Sequence, residues 1–181
     1  MASKAHAVHD KHRFNADLYE ALLMENEEKV INLCRKVPDG GLHILTIHKD
    51  TVLHMATYSK QRHSVLKQLE ALPENFRDKI IRTNNHKNTI LHEAATSQEG
   101  REAAEIMLRK APELLGMRNH RGETALYRAA RYGQADMFKY LALKISQYDE
   151  EQQLDFLRRN DKTNILHISI LAEHFGEFPW A

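Results

Sequence analysis

The chain has 181 residues, of which 42% are apolar and 28% are charged, and its formal net charge is +1. This length and composition fit a soluble globular chain of one domain or two small ones. A net charge close to zero excludes a strong overall field, so electrostatic recognition requires a local patch. Cys34 is the only cysteine, which excludes an internal disulfide and favours a reducing compartment.

Residues 1–13 are polar and have no helical period, so we predict a flexible tail there. His6, His9 and His12 recur at every third residue of this tail. Nothing else in the tail supports the helix that would align them, and we predict no metal site. The tail also lacks the apolar stretch of a secretory signal, and the chain has no run of about 18 apolar residues. We therefore expect a cytoplasmic protein.

A short motif recurs five times along residues 14–181. The clearest copy runs from Gly122 to Ala130, and the leucine at its centre has a counterpart in every other copy. These leucines are Leu18, Leu53, Leu91, Leu126 and Leu166, which are 35, 38, 35 and 40 residues apart. Self-similarity at this period predicts stacked supersecondary units that form one continuous solenoid.

In chain order, each unit is predicted to hold a short first helix with small residues and a longer second helix. The units cover about 14–47, 48–83, 84–117, 118–158 and 159–181, the last of which is incomplete. First helices begin near Asn15, Thr51, Thr89 and Thr124, and the fifth unit begins at Asn160. Second helices run through 27–37, 65–72, 99–111 and 138–145. No segment alternates at period two. We therefore predict an all-α solenoid of about four and a half helix-turn-helix units with hairpin-like turns.

The fifth unit has a first helix, but Gly176 and Pro179 break the segment that would form its second helix. The array would then lack the polar outer face that a terminal repeat normally provides. The aromatic residues Phe175, Phe178 and Trp180 would cover the open edge, meet a partner or stay loose. We expect self-association through residues 165–181, in a chain that is either short by itself or a fragment or splice form of a longer protein.

The copies share a T-x-L-H-x-A core, most fully in Thr89–Ala94, and this core resembles the ankyrin repeat. The resemblance covers about residues 15–175. It implies an ankyrin-repeat solenoid that binds partners with its turn tips and with the exposed face of its first helices. The usual proline of the core is replaced by Val52, Ile90, Ala125 and Ile165, and the glycine before it remains only as Gly122.

A narrower resemblance rests on Lys110–Leu115, Arg118–Tyr127 and Thr89–Ala95. These segments are similar to plant ankyrin proteins of the accelerated-cell-death type, in which a membrane domain named for a Pro-Gly-Gly motif follows the repeats. The resemblance implies a role in defence or stress signalling at the cytosolic face of a membrane. The membrane domain has no counterpart in this sequence.

In three of the units, the fourth position of the core is a histidine. These histidines are His54, His92 and His167. Ankyrin repeats use this histidine to hydrogen-bond the adjacent turn, and Tyr19 and Tyr127 can fill the same place. Because evenly repeated residues are spread along a stack, we predict a structural role for them. The sequence also lacks a phosphate loop, a nucleophile elbow and the HExxH and CxxC motifs. We predict that the chain is not an enzyme and needs no cofactor.

The predicted turn tips carry basic residues. They read His48-Lys49, His86-Lys87, His120-Arg121 and Asp161-Lys162. Stacking would place Lys49, Lys87, Arg121 and Lys162 in one row. We predict that this row recognises an acidic protein segment or an anionic lipid headgroup. The alternative is that these charges only keep the turns solvated.

Further candidate binding residues follow the core motif on the concave surface of the stack. They are Tyr58, Thr96, Arg131 and Tyr132, together with Glu93 and Arg128. Tyrosine and arginine are common interface anchors, and Tyr58 and Tyr132 can border a shallow groove. Glu93 and Arg128 occupy the same place in adjacent units, where they can pair with each other or stay free to meet a partner.

The sequence pI of about 7.9 lies below the values above about 9 that are usual for nucleic-acid-binding domains, so we expect no nucleic acid partner. The predicted function is a non-enzymatic protein-protein interaction module, acting as an adaptor in plant defence or stress signalling. One alternative is the cytosolic part of a membrane-linked signalling protein. The other is a protein that binds anionic lipid through its basic turn tips.

Overall fold

The computed structural model describes residues 2–73 and 76–171, without the side chains of residues 2–10, 169 and 171. Its helices are α1 (Ala2–Leu23), α2 (Glu27–Cys34), α3 (Val52–Tyr58), α4 (Arg62–Ala71), α5 (Arg77–Ile80), α6 (Ile90–Ala94), α7 (Gly100–Lys110), α8 (Ala125–Arg131), α9 (Ala135–Ile145), α10 (Glu150–Phe156) and α11 (Ile165–Leu171). Short 3₁₀ helices cover Gly40–Leu42 and Pro112–Leu115. Within these ranges β pairing is limited to isolated bridges, such as Ile44 with Thr51. The prediction of an all-α solenoid is confirmed.

The helices form two layers that run along the stack. The first helices α3, α6, α8 and α11 contact one another in chain order and make one layer. The second helices α2, α4, α7 and α9 make the other layer in the same way. Within a unit, the layers meet where α3 packs on α4, α6 on α7 and α8 on α9. Each unit therefore buries its apolar stripe both internally and against the next unit.

The leucines and alanines of the motif form the core between the layers. The fully buried members include Leu18, Leu53, Leu91, Leu126, Ala56, Ala94 and Ala129. Small side chains let neighbouring helices approach at the density of a close-packed interior. At Gly100, an added Cβ would lie 2.1 Å from the carbonyl oxygen of Ala94, so only glycine fits between α6 and α7. The fifth copy differs, because Leu166 is half-exposed while Ile165 beside it is buried.

Threonine side chains set the start of the first helices. Each accepts a hydrogen bond from the backbone N–H three residues later, namely His54 to Thr51, His92 to Thr89 and Tyr127 to Thr124. An N-cap of this kind stabilises a helix by about 1 kcal/mol. Because this signal is local, the sequence placed the starts of these helices correctly.

The structure differs from the prediction at the start of the chain. Helix α1 begins at Ala2, so the segment predicted to be a flexible tail forms the first part of a 22-residue helix. Residues 2–13 contain no glycine or proline and several alanines and lysines, all of which favour a helix. Helix propensity thus extends a helix that is anchored further along by the buried Leu18 and Leu22.

The first two units also differ from the prediction. Helix α2 ends at Cys34, three residues before its predicted end. The connection over residues 74–83 contains α5, whose Ile80 is buried. Lys79 Nζ and Arg82 Nη1 lie 2.7 and 3.1 Å from the carboxylate of Asp39. The hydrogen bond from Lys79 lowers the pKa of Asp39, and these contacts tie the connection to the first unit.

Two predictions fall on parts of the chain that the structure does not describe. The side chains of His6 and His9 are among them, as are residues 172–181, which hold Phe175, Phe178 and Trp180. Self-association through residues 165–181 therefore stays a prediction. Among the helices that are described, none combines the length and the apolar character needed to cross a bilayer.

Candidate functional site

The turns between units share one backbone conformation at their tips. The residues at this position are Lys49, Lys87, Gly122 and Lys162, whose φ angles are +63°, +55°, +73° and +65°. Each donates its backbone N–H to the carbonyl oxygen three residues earlier, at distances of 2.9 to 3.1 Å. The shared bond and the shared left-handed conformation show that these four residues are equivalent. Arg121 lies one residue earlier in its turn, so it is not in register with the three lysines.

Only glycine fits at position 122, because the next turn in the stack packs against it. An added Cβ at Gly122 would lie 2.4 Å from Cγ and 2.7 Å from the backbone nitrogen of Asn160. A lysine therefore does not fit at this position of the fourth unit. The basic side chain of that turn comes instead from Arg121, which is exposed.

Hydrogen bonds between turns hold the tips side by side. The backbone N–H of Asn85 donates to the carbonyl of His48 at 2.7 Å, and that of His120 donates to the carbonyl of His86 at 2.9 Å. Buried asparagines reinforce the contact, since Asn84 donates to Asp50 at 2.8 Å and Asn119 donates to Asn88 at 3.0 Å. Sequence reasoning missed both asparagines. Their signal is a polar residue five positions before the capping threonine.

The histidines of the core motif also bridge neighbouring units. His54 Nε2 lies 3.0 Å from the carbonyl oxygen of Asn88, and His92 Nε2 lies 3.0 Å from that of Glu123. A carbonyl oxygen can only accept, so Nε2 carries the proton in both rings. Burial lowers the pKa of His54 and lowers that of His92 to about 4. Both rings are therefore neutral, and the predicted structural role is confirmed for them. His167 is exposed.

The repeated motif thus corresponds to hydrogen bonds that bridge neighbouring units. A comparison with protein families identifies the same repeat. A family model described as ankyrin repeats, in three copies, matches residues 53–153, which is more than half of the chain. The chain belongs to the ankyrin-repeat family. A comparison with curated proteins found no match. Ankyrin repeats are non-enzymatic modules for protein-protein interaction.

The ankyrin-repeat stack has a concave pocket of about 270 Å³ between its third and fourth units. Six of the predicted binding residues line it, namely His86, His120, Arg121, Arg128, Arg131 and Tyr132. The pocket also contains Asn88, Asn119 and Glu123, which sequence reasoning did not select. We call it the concave pocket. It brings residues from two turns and one first helix to a single surface.

Arg128, Arg131 and Glu123, which line the concave pocket, belong to two ion pairs. Arg128 holds both carboxylate oxygens of Glu93 at 3.4 Å, and the exposed fractions of the two side chains are only 9% and 8%. Arg131 Nη1 lies 2.6 Å from Oε1 of the buried Glu123. The hypothesis that Glu93 and Arg128 pair across units agrees with this geometry, although the pair is buried rather than exposed. These four charges neutralise one another within the stack.

Exposed side chains surround these pairs. Tyr132 is 46% exposed, and the guanidinium carbon of Arg128 lies 5.5 Å from the centre of its ring. Tyr58 is 70% exposed and lies outside the residues that line the concave pocket. Thr96 is half-buried, and its hydroxyl donates to the carbonyl of Glu93 at 2.8 Å. The concave pocket therefore includes Tyr132 but not Tyr58.

Two other reactive side chains are buried. Cys34 donates its thiol hydrogen to Gln68 Oε1 at 3.3 Å, and burial raises its pKa to about 12. It therefore behaves as a small hydrophobic residue. Tyr127 is fully buried, and its hydroxyl has no hydrogen-bond partner among the described residues. No group of three or more histidine, cysteine, aspartate or glutamate side chains in the described ranges could hold a metal ion.

Proposed function

We propose that this ankyrin-repeat chain binds an acidic segment of a partner protein through its turn tips and the adjoining concave pocket. The observation that carries the proposal concerns four basic residues, Lys49, Lys87, Arg121 and Lys162, which we call the turn-tip cations. All four are exposed, and within the described residues their charged groups take part in none of the ion pairs and side-chain hydrogen bonds. Cations without an intramolecular partner are available to an incoming carboxylate.

The surroundings of the turn-tip cations favour a protein ligand. Tyr58 and Tyr132 present exposed rings on the neighbouring surface, and tyrosine is enriched among the residues that dominate binding energies at interfaces. The turns are fixed to one another by backbone hydrogen bonds. A surface that is already ordered loses little conformational entropy when a partner binds. Recognition is therefore carried out by charge and shape, without a chemical step.

The first experiment is affinity capture from an extract of the source cells, with a charge-reversed variant of the turn tips. The variant is Lys49→Glu, Lys87→Glu, Arg121→Glu and Lys162→Glu. The matched control reverses Arg13, Lys36, Lys67 and Lys139, which are also exposed but lie outside the turn tips. Both variants change the net charge equally, so a difference between them reports position and not total charge.

We expect a set of proteins that the wild type and the control retain and that the turn-tip variant loses. Direct titration of one such protein should then show binding at least about tenfold weaker for the variant, since four ion pairs of up to about 1 kcal/mol each are lost. If all three chains retain the same proteins with the same affinity, the turn tips are not the site.

Binding to anionic lipid through the same tips is a second candidate, because Ile47 is 89% exposed beside Lys49. An apolar side chain next to basic residues is typical of proteins that dock on membrane surfaces. Sedimentation with vesicles that contain phosphatidylserine tests this candidate. Binding that falls steeply with salt and is lost in the turn-tip variant would support it. The role in plant defence or at a membrane that the narrower resemblance implies stays a prediction.

A further inference from the structure

A second recess lies on the layer of second helices, apart from the turn tips and the concave pocket. It has a volume of about 600 Å³ and opens between α7 and α9. Its walls include Leu108 and Arg109 of α7, Leu115 of the following 3₁₀ helix, and Tyr140 and Lys144 of α9. We call it the second-helix cleft. Its volume falls within the range of about 300–1,000 Å³ that is usual for ligand sites.

Apolar side chains make up part of the lining of the second-helix cleft. Leu108, Leu115 and Tyr140 are buried side chains that present only a small part of their surface there. Tyr148, at the rim, is half-exposed and packs edge-to-face on Phe156, with the ring centres 5.3 Å apart. This arrangement offers a hydrophobic floor with an aromatic border, which suits one apolar side chain of a ligand.

The charges in the cleft are unbalanced. Among the described residues, Glu105 is the one carboxylate that lines it, and its Oε1 lies 3.3 Å from Arg101 Nε. Arg109 and Lys144 take part in none of the ion pairs found within residues 2–73 and 76–171. Lys144 Nζ lies 5.6 Å from the centre of the Tyr140 ring, a contact that is compatible with binding an anion as well. The cleft therefore presents two uncompensated positive charges above an apolar floor.

We propose that the second-helix cleft binds a short acidic peptide segment of a partner protein. One carboxylate lies against Arg109 and Lys144, and a neighbouring apolar side chain lies on Leu108 and Leu115. An inorganic anion would leave the apolar floor unfilled, and a purely apolar ligand would leave both cations desolvated without a partner. A peptide with both acidic and apolar side chains can pair with the two cations and also cover the apolar floor. This site is independent of the turn tips, so the ankyrin-repeat stack has two faces for recognition.

The test is a titration of the ¹⁵N-labelled full chain, followed by amide chemical shifts. The probe is an N-acetylated, C-amidated pentapeptide of sequence Glu-Glu-Phe-Glu-Glu. We expect shift changes at the amides of Arg109, Leu115 and Lys144. The variant Arg109→Gln with Lys144→Gln should bind about tenfold more weakly, since two charge-assisted contacts are lost. Both residues are replaced by neutral polar ones, and circular dichroism checks that the variant is folded.

Two controls make the result decisive. Lys49→Gln with Lys87→Gln, which removes two turn-tip cations, should leave the shifts at the cleft unchanged. A pentapeptide with glycine in place of phenylalanine should bind more weakly than the original. The proposal is overturned if inorganic phosphate causes the same shifts with the same affinity, because the site would then recognise a small anion. Shifts confined to the turn tips, or no shifts in the cleft, would overturn it as well.

Discussion

The buried ring of His92 leads to a quantitative prediction about stability and pH. Nδ1 of His92 accepts a hydrogen bond from the backbone N–H of Thr89 at 3.1 Å, and Nε2 donates to the carbonyl of Glu123 at 3.0 Å. A second proton on Nδ1 would place a positive charge on a fully buried ring. Burial, the largest cause, thus lowers the pKa of His92 from 6.5 to about 4.

The sign of the effect follows from proton binding. Between pH 6.5 and about 4 the unfolded chain binds a proton at His92 that the folded chain does not bind. The stabilisation is therefore fully present above pH 6.5 and is lost progressively as the pH falls from 6.5 to about 4. A fall in pKa of this size corresponds to about 3 kcal/mol in the free energy of unfolding, at about 1.4 kcal/mol per pH unit. His54, whose pKa is also lowered, acts in the same direction.

The assay is urea denaturation followed by circular dichroism, from pH 7.5 to 4.0. The variant His92→Gln keeps a donor and an acceptor at the N3 position, where glutamine commonly completes a capping box, but it does not titrate. Relative to wild type, this variant should lose about 3 kcal/mol less over the pH range. The exposed His63 provides the control variant His63→Gln, which should follow the wild type. Identical pH dependence in His92→Gln and wild type would refute the reasoning.

The buried pair in the concave pocket and the left-handed turn positions give two more predictions. Glu93→Leu leaves Arg128 buried without its carboxylate, so urea denaturation should show a loss of about 3 kcal/mol, and adding Arg128→Met should recover most of it. If Glu93→Leu alone is as stable as the double variant with Arg128→Met, the two residues are not coupled in this way. Gly122→Ala should destabilise the chain through the contact with Asn160, whereas Lys87→Gly at φ +55° should be neutral or stabilise it by up to about 1 kcal/mol. If both Gly122→Ala and Lys87→Gly destabilise the chain, or both stabilise it, the argument from the left-handed backbone conformation is wrong.

The sequence by itself determined the repeat, its period and the starts of the first helices α3, α6 and α8. These features are local, because a threonine caps the helix that begins next to it and a leucine, buried in all copies but the fifth, recurs in each unit. The roles of His54 and His92 were predictable from the resemblance to ankyrin repeats, in which this histidine hydrogen-bonds the adjacent turn. The helix over residues 2–13 was missed, because propensity without an apolar period leaves no amphipathic signal.

Only the tertiary structure decided which side chains remain available for binding. Glu93 and Arg128 became a buried pair because stacking places the same position of adjacent units side by side. Arg121 lies out of register with the lysines, because the next turn leaves no room for a side chain at position 122. The second-helix cleft depends on the spacing of α7 and α9, which no local pattern encodes. Local patterns define the units, whereas the distances between units define the surfaces that they present.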